Sequence, residues 1–263
     1  MTRPASLICL LSDFGLDDWY VGVMRLVLAR HAPEARLIDV SHGVPPGDVR
    51  AGGLYLAQAV AAGDEGTVHL AVVDPGVGSQ RRLLVVGVDG QWVVCPDNGL
   101  VSDAWRRSSR RSAWEIVWRP AQASHTFHGR DIFAPVAGHL SRGLDPARLG
   151  PEVDTLVRIA PPAPRVTREG VIRGEVVRVD HFGNLITNIP GDSLAQVGGK
   201  LEIRVGRSVL RNLCRSYGEA PKGKLIAVIG STGHLEISVN QGNAQKKTGA
   251  RVGATVRIHH AQP

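Results

Sequence analysis

Three stretches of the 263-residue chain gather side chains that can hold charge, move protons or grip a small polar molecule. The first is Val72-Val73-Asp74-Pro75-Gly76-Val77-Gly78-Ser79-Gln80-Arg81-Arg82, an apolar run emptying into a tight loop whose glycines let backbone approach a ligand. Asp74 stands where the run stops, and Arg81 can turn back towards it. The pair is either part of a site or a strand-end turn with a surface ion pair. The GxxxxGK[ST] spacing of a nucleotide loop is missing. The second stretch, His125-Thr126-Phe127-His128-Gly129-Arg130-Asp131, has the His-x-x-His-x-x-Asp spacing of a metal site. Gly129, at the apparent start of a helix, argues against the single helical face such ligands need. Asp131 is better placed as a helix N-cap, and His128 is either a hydrogen-bonded structural histidine or a catalytic one.

The third stretch, Asp180-His181-Phe182-Gly183-Asn184-Leu185-Ile186-Thr187-Asn188, sets an acid, an aromatic ring and two amides around a glycine turn. It suits a purine nucleoside or an amino-acid zwitterion, or else it is a Gly-Asn turn tied to its own backbone. Gly230-Ser231-Thr232-Gly233-His234-Leu235-Glu236, followed by Val239 to Ala244, reads alone as a hairpin with polar tips.

The elements that position these stretches follow from periodicity. Ser6–Leu11 and Thr67–Val73 read as buried strands, Arg36–Val40 as another short strand, and Val49–Ala62 as a helix. Tyr20, Val23, Met24 and Val27 recur at helical spacing after Asp17 or Asp18, either of which can cap. Arg82–Val88 and Gln91–Cys95 flank Asp89-Gly90, a strong hairpin signal, and Asp131–Leu140 reads as a helix. This alternation predicts an α/β domain over residues 1–158 with a mainly parallel central sheet. In such sheets ligands sit beyond the carboxyl ends of strands, where Asp13 and Asp74 both lie. Residues 159–170 include Ala-Pro-Pro-Ala-Pro and read as a linker. Residues 171–263 show short strands between glycine turns and no helices: Ile172–Val179, Leu201–Val205, Lys224–Ile229, Leu235–Val239 and Ala254–Ile258. They predict a smaller all-β, barrel-like domain.

Composition narrows the function classes. Apolar residues make up 43% and charged residues 21%, which excludes a disordered or fibrous chain. No apolar run approaches the ~20 residues of a membrane span. Leu7–Leu11 is too short and too early for a secretory signal, so a cytoplasmic protein is expected. Cys9, Cys95 and Cys214 are odd in number and far apart, as reduced core thiols would be. The net charge of +7 raises nucleic acid as a partner. Against it, the basic residues are scattered, and their densest cluster, Arg106, Arg107, Arg110 and Arg111, lacks a recognition motif and interleaved aromatics.

Six blocks, in this order, resemble the S-adenosyl-L-methionine hydroxide adenosyltransferase family, formerly domain of unknown function 62. They are SDFGLDDWYVGVMR (Ser12–Arg25), VVDPGVGSQRR (Val72–Arg82), CPDNGL (Cys95–Leu100), HTFHGRDIFAPVAGHL (His125–Leu140), DHFGNLITNI (Asp180–Ile189) and GSTGHLEISVNQGNA (Gly230–Ala244). Members of that family split S-adenosylmethionine (SAM) and water into adenosine and methionine, and share a fold with fluorinase and chlorinase, which use a halide. The resemblance implies an N-terminal α/β domain with a C-terminal β-barrel, and a homotrimer with active sites between subunits. It implies that Asp74, Arg81 and His128 form the triad positioning the water, a triad the halogenases lack. The loop that halogenases insert after the block matching CPDNGL has no obvious counterpart here.

By the same resemblance, Asp13 holds the ribose hydroxyls, Asp180 pairs with the methionine ammonium, Phe182 stacks on adenine and Asn184 binds its edge. Ser231, Glu236 and backbone near Val239 complete the pockets. Halogenases carry an Arg where this chain has Thr232 and another near Val239, so those contacts differ here. No metal and no dissociable cofactor is implied, since SAM is the substrate. The sulfonium leaves as neutral methionine, so the chemical difficulty is water, whose pKa in bulk is about 15.7. A guanidinium beside it favours the ionised form; which of the three residues is the formal base stays open. The alternatives are a SAM-dependent halogenase and a non-catalytic SAM- or adenosine-binding protein.

Overall fold

The computed structural model describes residues 6–197, 201–211 and 213–260. The chain divides between Ala160 and Pro161 into two compact units.

In the first unit, strands and helices run β1 (Leu7–Ser12), α1 (Tyr20–His31), β2 (Arg36–Ser41), α2 (Val49–Ala62), β3 (Val68–Val72), β4 (Leu83–Val88), β5 (Gln91–Pro96), α3 (Ser102–Arg107), β6 (Arg111–Glu115) and α4 (Ala134–Ser141). The six strands lie in the order β2-β1-β3-β5-β4-β6. The expected mainly parallel sheet is parallel only from β2 to β5 and turns antiparallel at β4 and β6, so the sheet is mixed. The Asp89-Gly90 hairpin forces that reversal, with Asp89 at a positive φ of 48°. β6 rises from the arginine-rich stretch, where charge masks the alternating pattern.

Alternate residues of the strands face opposite layers. Leu10, Leu70 and Val72 pack with Met24, Leu28, Phe133 and Val136 of the α1 and α4 side. Leu11, Ala71 and Val73 pack with Leu56, Val60 and Leu100 of the α2 and α3 side. Gly52 of α2 sits so close to the sheet that a Cβ there would lie 2.8 Å from Leu100 and 2.9 Å from Val73. A glycine inside a helix costs about 1 kcal/mol relative to alanine, a cost this close packing offsets.

Because β1 lies between β2 and β3, the chain leaves β1 towards one edge and returns on its other side. That is a topological switch point, where ligands collect beyond the strand ends. Ser12 and Val72 are register partners, so Asp13 and Asp74 leave neighbouring strand ends.

The second unit runs β7 (Arg165–Val166), β8 (Ile172–Val179), β9 (Leu185–Pro190), β10 (Leu201–Val205), β11 (Ser208–Leu210), β12 (Leu213–Cys214), β13 (Leu225–Ile229), β14 (His234–Val239), α5 (Ala244–Thr248) and β15 (Thr255–His260). Among the described residues its nine-stranded sheet is antiparallel except for β12 against β13, and its path runs from β11 to β12 without those ends pairing. It surrounds a core of Ile172, Val176, Leu185, Leu235, Ile237 and Val256.

Three local expectations are corrected. The N-cap of α1 is Trp19, with no side-chain hydrogen bond, rather than Asp17 or Asp18. The proline-rich 159–170 stretch carries an edge strand, β7, paired with β8. A short helix, α5, interrupts the strands expected to run without helices; Asn243 caps it by accepting from Lys246 N at 2.7 Å.

The C-terminal ends of α1 and α4 bring His31 Nδ1 within 3.2 Å of His139 Nε2. Burial, His139, Arg30 and Arg142 all push the His31 pKa down. A histidine with a depressed folded pKa binds fewer protons than its unfolded counterpart, so it costs no stability above about pH 6.5 and progressively more below. His139→Gln removes one of the influences that depress the His31 pKa. In calorimetric melts from pH 8 to pH 5 that variant is expected to lose less Tm than the parent; parallel curves would show that His139 does not act on His31 in the folded state.

Candidate active site

Asp74 leaves β3 and meets Arg81 after a loop of four residues at Gly76–Ser79 that folds back on itself through Val77 N to Asp74 O at 3.2 Å and Ser79 N to Gly76 O at 3.0 Å. Arg81 Nε donates to Asp74 Oδ1 at 2.5 Å, and Nη2 donates to Oδ2, a bidentate pair. The side chains are 8% and 5% exposed, which overturns the alternative of a surface ion pair. Arg81 Nη2 also lies 3.2 Å from His128 Nδ1. Asp74, Arg81 and His128 therefore form one connected cluster.

Gly78 makes the approach of His128 feasible. Its φ is +80°, and a Cβ there would lie 2.6 Å from the His125 carbonyl oxygen. The loop after β3 thus presses on the segment that carries His128. That segment enters α4 through a π-helical turn at Gly129–Phe133, with His128 in its first half-turn position. The expected N-cap role of Asp131 is corrected here. Its carboxylate accepts from Ser124 N at 2.8 Å and pairs with Arg130. The helical turn begins two residues before it, at Gly129, so Asp131 lies inside the turn and fastens the preceding loop instead. No group of three potential metal ligands occurs among the described residues, so His125, His128 and Asp131 do not converge as a metal site.

A guanidinium can only donate, so His128 Nδ1 must accept from Arg81, which makes the imidazole neutral with its proton on Nε2. Burial pushes the His128 pKa down, Arg81 pushes it further, and Asp74 opposes both. Arg81 Nη1 is buried with no hydrogen-bond partner among the described residues. A buried unpaired donor costs free energy unless an acceptor meets it, which makes Nη1 the natural contact for an anionic or lone-pair oxygen. Asp13, half-buried after β1, accepts from Gly47 N at 2.7 Å.

The remaining residues lie in the second unit. Asp180 accepts from Phe182 N and Asn184 N through one oxygen and from Asn184 Nδ2 through the other. The turn is thus tied to its own backbone, as one reading of the sequence allowed, while its carboxylate retains further lone pairs. Phe182 is 71% exposed at the tip, and Asn184 is buried at the start of β9. Glu236 is buried on β14 and accepts from Tyr217 Oη at 2.7 Å and Ser238 Oγ at 2.8 Å. Val239 ends the same strand, and Ser231 is exposed in the turn between β13 and β14. Tyr217 was not legible in the sequence, where it sits in a polar stretch without periodicity. Burial, Glu236 and Asp180 push its pKa to about 12, so it remains a phenol.

Fold and cluster define an α/β unit with a charged site beyond its strand ends, and a mainly β unit presenting acidic and aromatic groups. Residues 8–150 match the SAM hydroxide adenosyltransferase N-terminal domain, and residues 174–257 match its C-terminal domain. The chain belongs to the SAM hydroxide adenosyltransferase family. It is 43% identical over 263 residues to the (R)-S-adenosyl-L-methionine hydrolase of Thermus thermophilus, covering 94% of this chain and 97% of that protein. A fluorinase of an Actinoplanes species is 26% identical over 291 residues, covering 97% and 98%. The crystal structure of an uncharacterised conserved protein from Thermotoga maritima matches 96% of this chain and 100% of its own, with a TM-score of 0.90 and 36% identity.

Removing one member of a buried ion pair costs about 3–5 kcal/mol, because the other charge is stranded. Asp74→Ala is expected to lose stability on that scale in urea unfolding, and Asp74→Ala combined with Arg81→Met to regain most of it. A double variant as unstable as the single one would place the loss elsewhere.

Proposed function

We propose that the protein is an adenosylmethionine hydrolase, forming adenosine and L-methionine from SAM and water. The observation that carries this reading is the connected Asp74–Arg81–His128 cluster, with a buried, unpartnered Arg81 Nη1. Oxygen attacks the ribose 5′ carbon, a C–O bond forms, and the C–S bond breaks with its electron pair going to sulfur. Sulfur changes from a sulfonium to a neutral thioether, and one proton is released per turnover.

Each residue has a part in that step. Arg81 keeps its charge at any working pH, and its field favours hydroxide over water at the nucleophile position. Asp74 fixes the guanidinium in one orientation through two bonds. His128 offers Nε2–H to orient the oxygen, its Nδ1 being engaged by Arg81. Alignment behind the 5′ carbon adds to this, since oriented reactants reach effective molarities of about 10⁵ M or more. Asp13 takes the ribose hydroxyls; Asp180, Phe182, Asn184, Ser231, Glu236 and backbone near Val239 take the methionine and adenine ends. Tyr217 joins them by fixing the Glu236 carboxylate. No dissociable cofactor or metal is part of the proposal. A homotrimer with active sites between subunits, and a cytoplasmic location, belong to it as implications of the family resemblance. Among the described residues, no helix is long and apolar enough to cross a membrane.

Chromatography of SAM incubated with the protein, with and without excess chloride or fluoride, tests the reading. Adenosine and methionine in equal amounts, indifferent to halide, are expected. A 5′-halo-5′-deoxyadenosine would move the protein to the halogenase branch, and bound SAM without product would make it a binding protein. Arg81→Ala is expected to lower kcat on the order of a hundredfold or more while KM changes only a few-fold, because the lost interaction serves the transition state. Equal losses in affinity and turnover would contradict the role given to Arg81. Since the His128 pKa is lowered, its neutral form persists as pH falls to about 6.5, and kcat should show no histidine limb above that value.

A further inference from the structure

His42 links the loop that carries Asp13 to an ion pair on the surface. Ser12 Oγ lies 2.7 Å from His42 Nδ1, and Phe14 N donates to Ser12 Oγ at 3.3 Å. Across the ring, His42 Nε2 lies 3.2 Å from Asp39 Oδ1, a charge contact off the ideal hydrogen-bond angle. Arg25 Nε donates to that oxygen at 3.2 Å, and Arg25 Nη2 donates to Asp39 Oδ2. One placement of protons is consistent with these contacts. Phe14 N–H gives to Ser12 Oγ, Ser12 O–H gives to His42 Nδ1, and His42 Nε2–H faces a carboxylate neutralised by Arg25.

Serine, histidine and aspartate in contact suggest nucleophilic hydrolysis, but the geometry argues otherwise. Ser12 is fully buried and His42 is 4% exposed, so no substrate reaches the hydroxyl. What the chain does reach is Asp13, the residue next to Ser12. Gly15 N donates to the His42 carbonyl at 2.8 Å, and Gly47 N donates to Asp13 Oδ2 at 2.7 Å. Residues 42–47 therefore hold the Asp13 loop at two points. A Cβ at Gly47 would lie 3.7 Å from Pro75 Cβ, in ordinary contact with the residue next to Asp74.

We propose that Ser12, His42, Asp39 and Arg25 form a positioning chain that fixes the Asp13 carboxylate for a ribose diol. The proposal rests on the hydrolase reading through Asp13 alone. Ser12 and His42 are the members it depends on, being buried and joined through Ser12 Oγ and His42 Nδ1. Asp39 and Arg25 sit nearer solvent, and Arg25 holds the Asp39 carboxylate against the imidazole.

Calorimetric titration of the protein with adenosine and with 2′,3′-dideoxyadenosine, which lacks the diol, tests it. The parent is expected to prefer adenosine, and Asp13→Ala to abolish the preference. His42→Phe and Ser12→Ala are expected to weaken adenosine binding on the order of tenfold while leaving the dideoxynucleoside within about twofold. Asp39→Asn, which keeps an acceptor, should lose less than Asp39→Ala. Parent-like adenosine binding by both His42→Phe and Ser12→Ala, or equal loss of both nucleosides, would overturn the positioning role. An Asp13→Ala variant that keeps the preference would instead overturn the assignment of Asp13. If His42→Phe does not fold, Ser12→Ala, a change of one oxygen, carries the same comparison.

Discussion

The bidentate pair between Asp74 and Arg81 is the interaction on which the site depends. Both groups are almost wholly withdrawn from water, so each is tolerable only because the other is there. That constraint dictates the loop between them, which must return Arg81 to the end of β3 without a helical turn. It also dictates Gly78, whose positive φ and contact with the His125 carbonyl bring the next segment in. His128 then approaches a guanidinium that can only donate, and its tautomer and neutrality follow from that contact. One buried charge pair thus sets the electrostatics of the cluster.

The two units carry different chemistry. The first sets a carboxylate-paired guanidinium beside an imidazole at a strand end, with one buried guanidinium N–H unpartnered among the described residues, an arrangement that suits an oxygen acceptor. The second offers Asp180, Glu236, Asn184 and exposed aromatic surface at Phe182, groups suited to an ammonium and a purine. The tie between Tyr217 and Glu236 shows how a polar stretch without strand pattern stiffens a carboxylate. The same logic appears at Asp180, where backbone N–H groups hold the carboxylate in one orientation.

Much of this was legible in the chain itself. The helix over Val49–Ala62 begins and ends where its periodicity predicts, and β8 and β10 do likewise, because alternation or helical spacing is uninterrupted there. Asp74 and Arg81 were legible as a pair because glycine and proline force a return of the chain. Their burial was not, since nothing local says what will cover them. β6 and β9 were obscured, one by arginines and the other by turn residues that precede it. The π-helical turn redirected Asp131 from capping to bracing, an outcome no spacing rule gives. The contacts of Ser12 and His42 required the register of β1 against β2 and β3.

Hydrolysis at this site requires water oxygen to arrive at the ribose 5′ carbon. Turnover of SAM in water enriched in oxygen-18, with both products analysed by mass spectrometry, tests this most directly. One heavy oxygen is expected in adenosine, at the 5′ position, and none in methionine. Unlabelled adenosine, or label appearing in methionine, would contradict it.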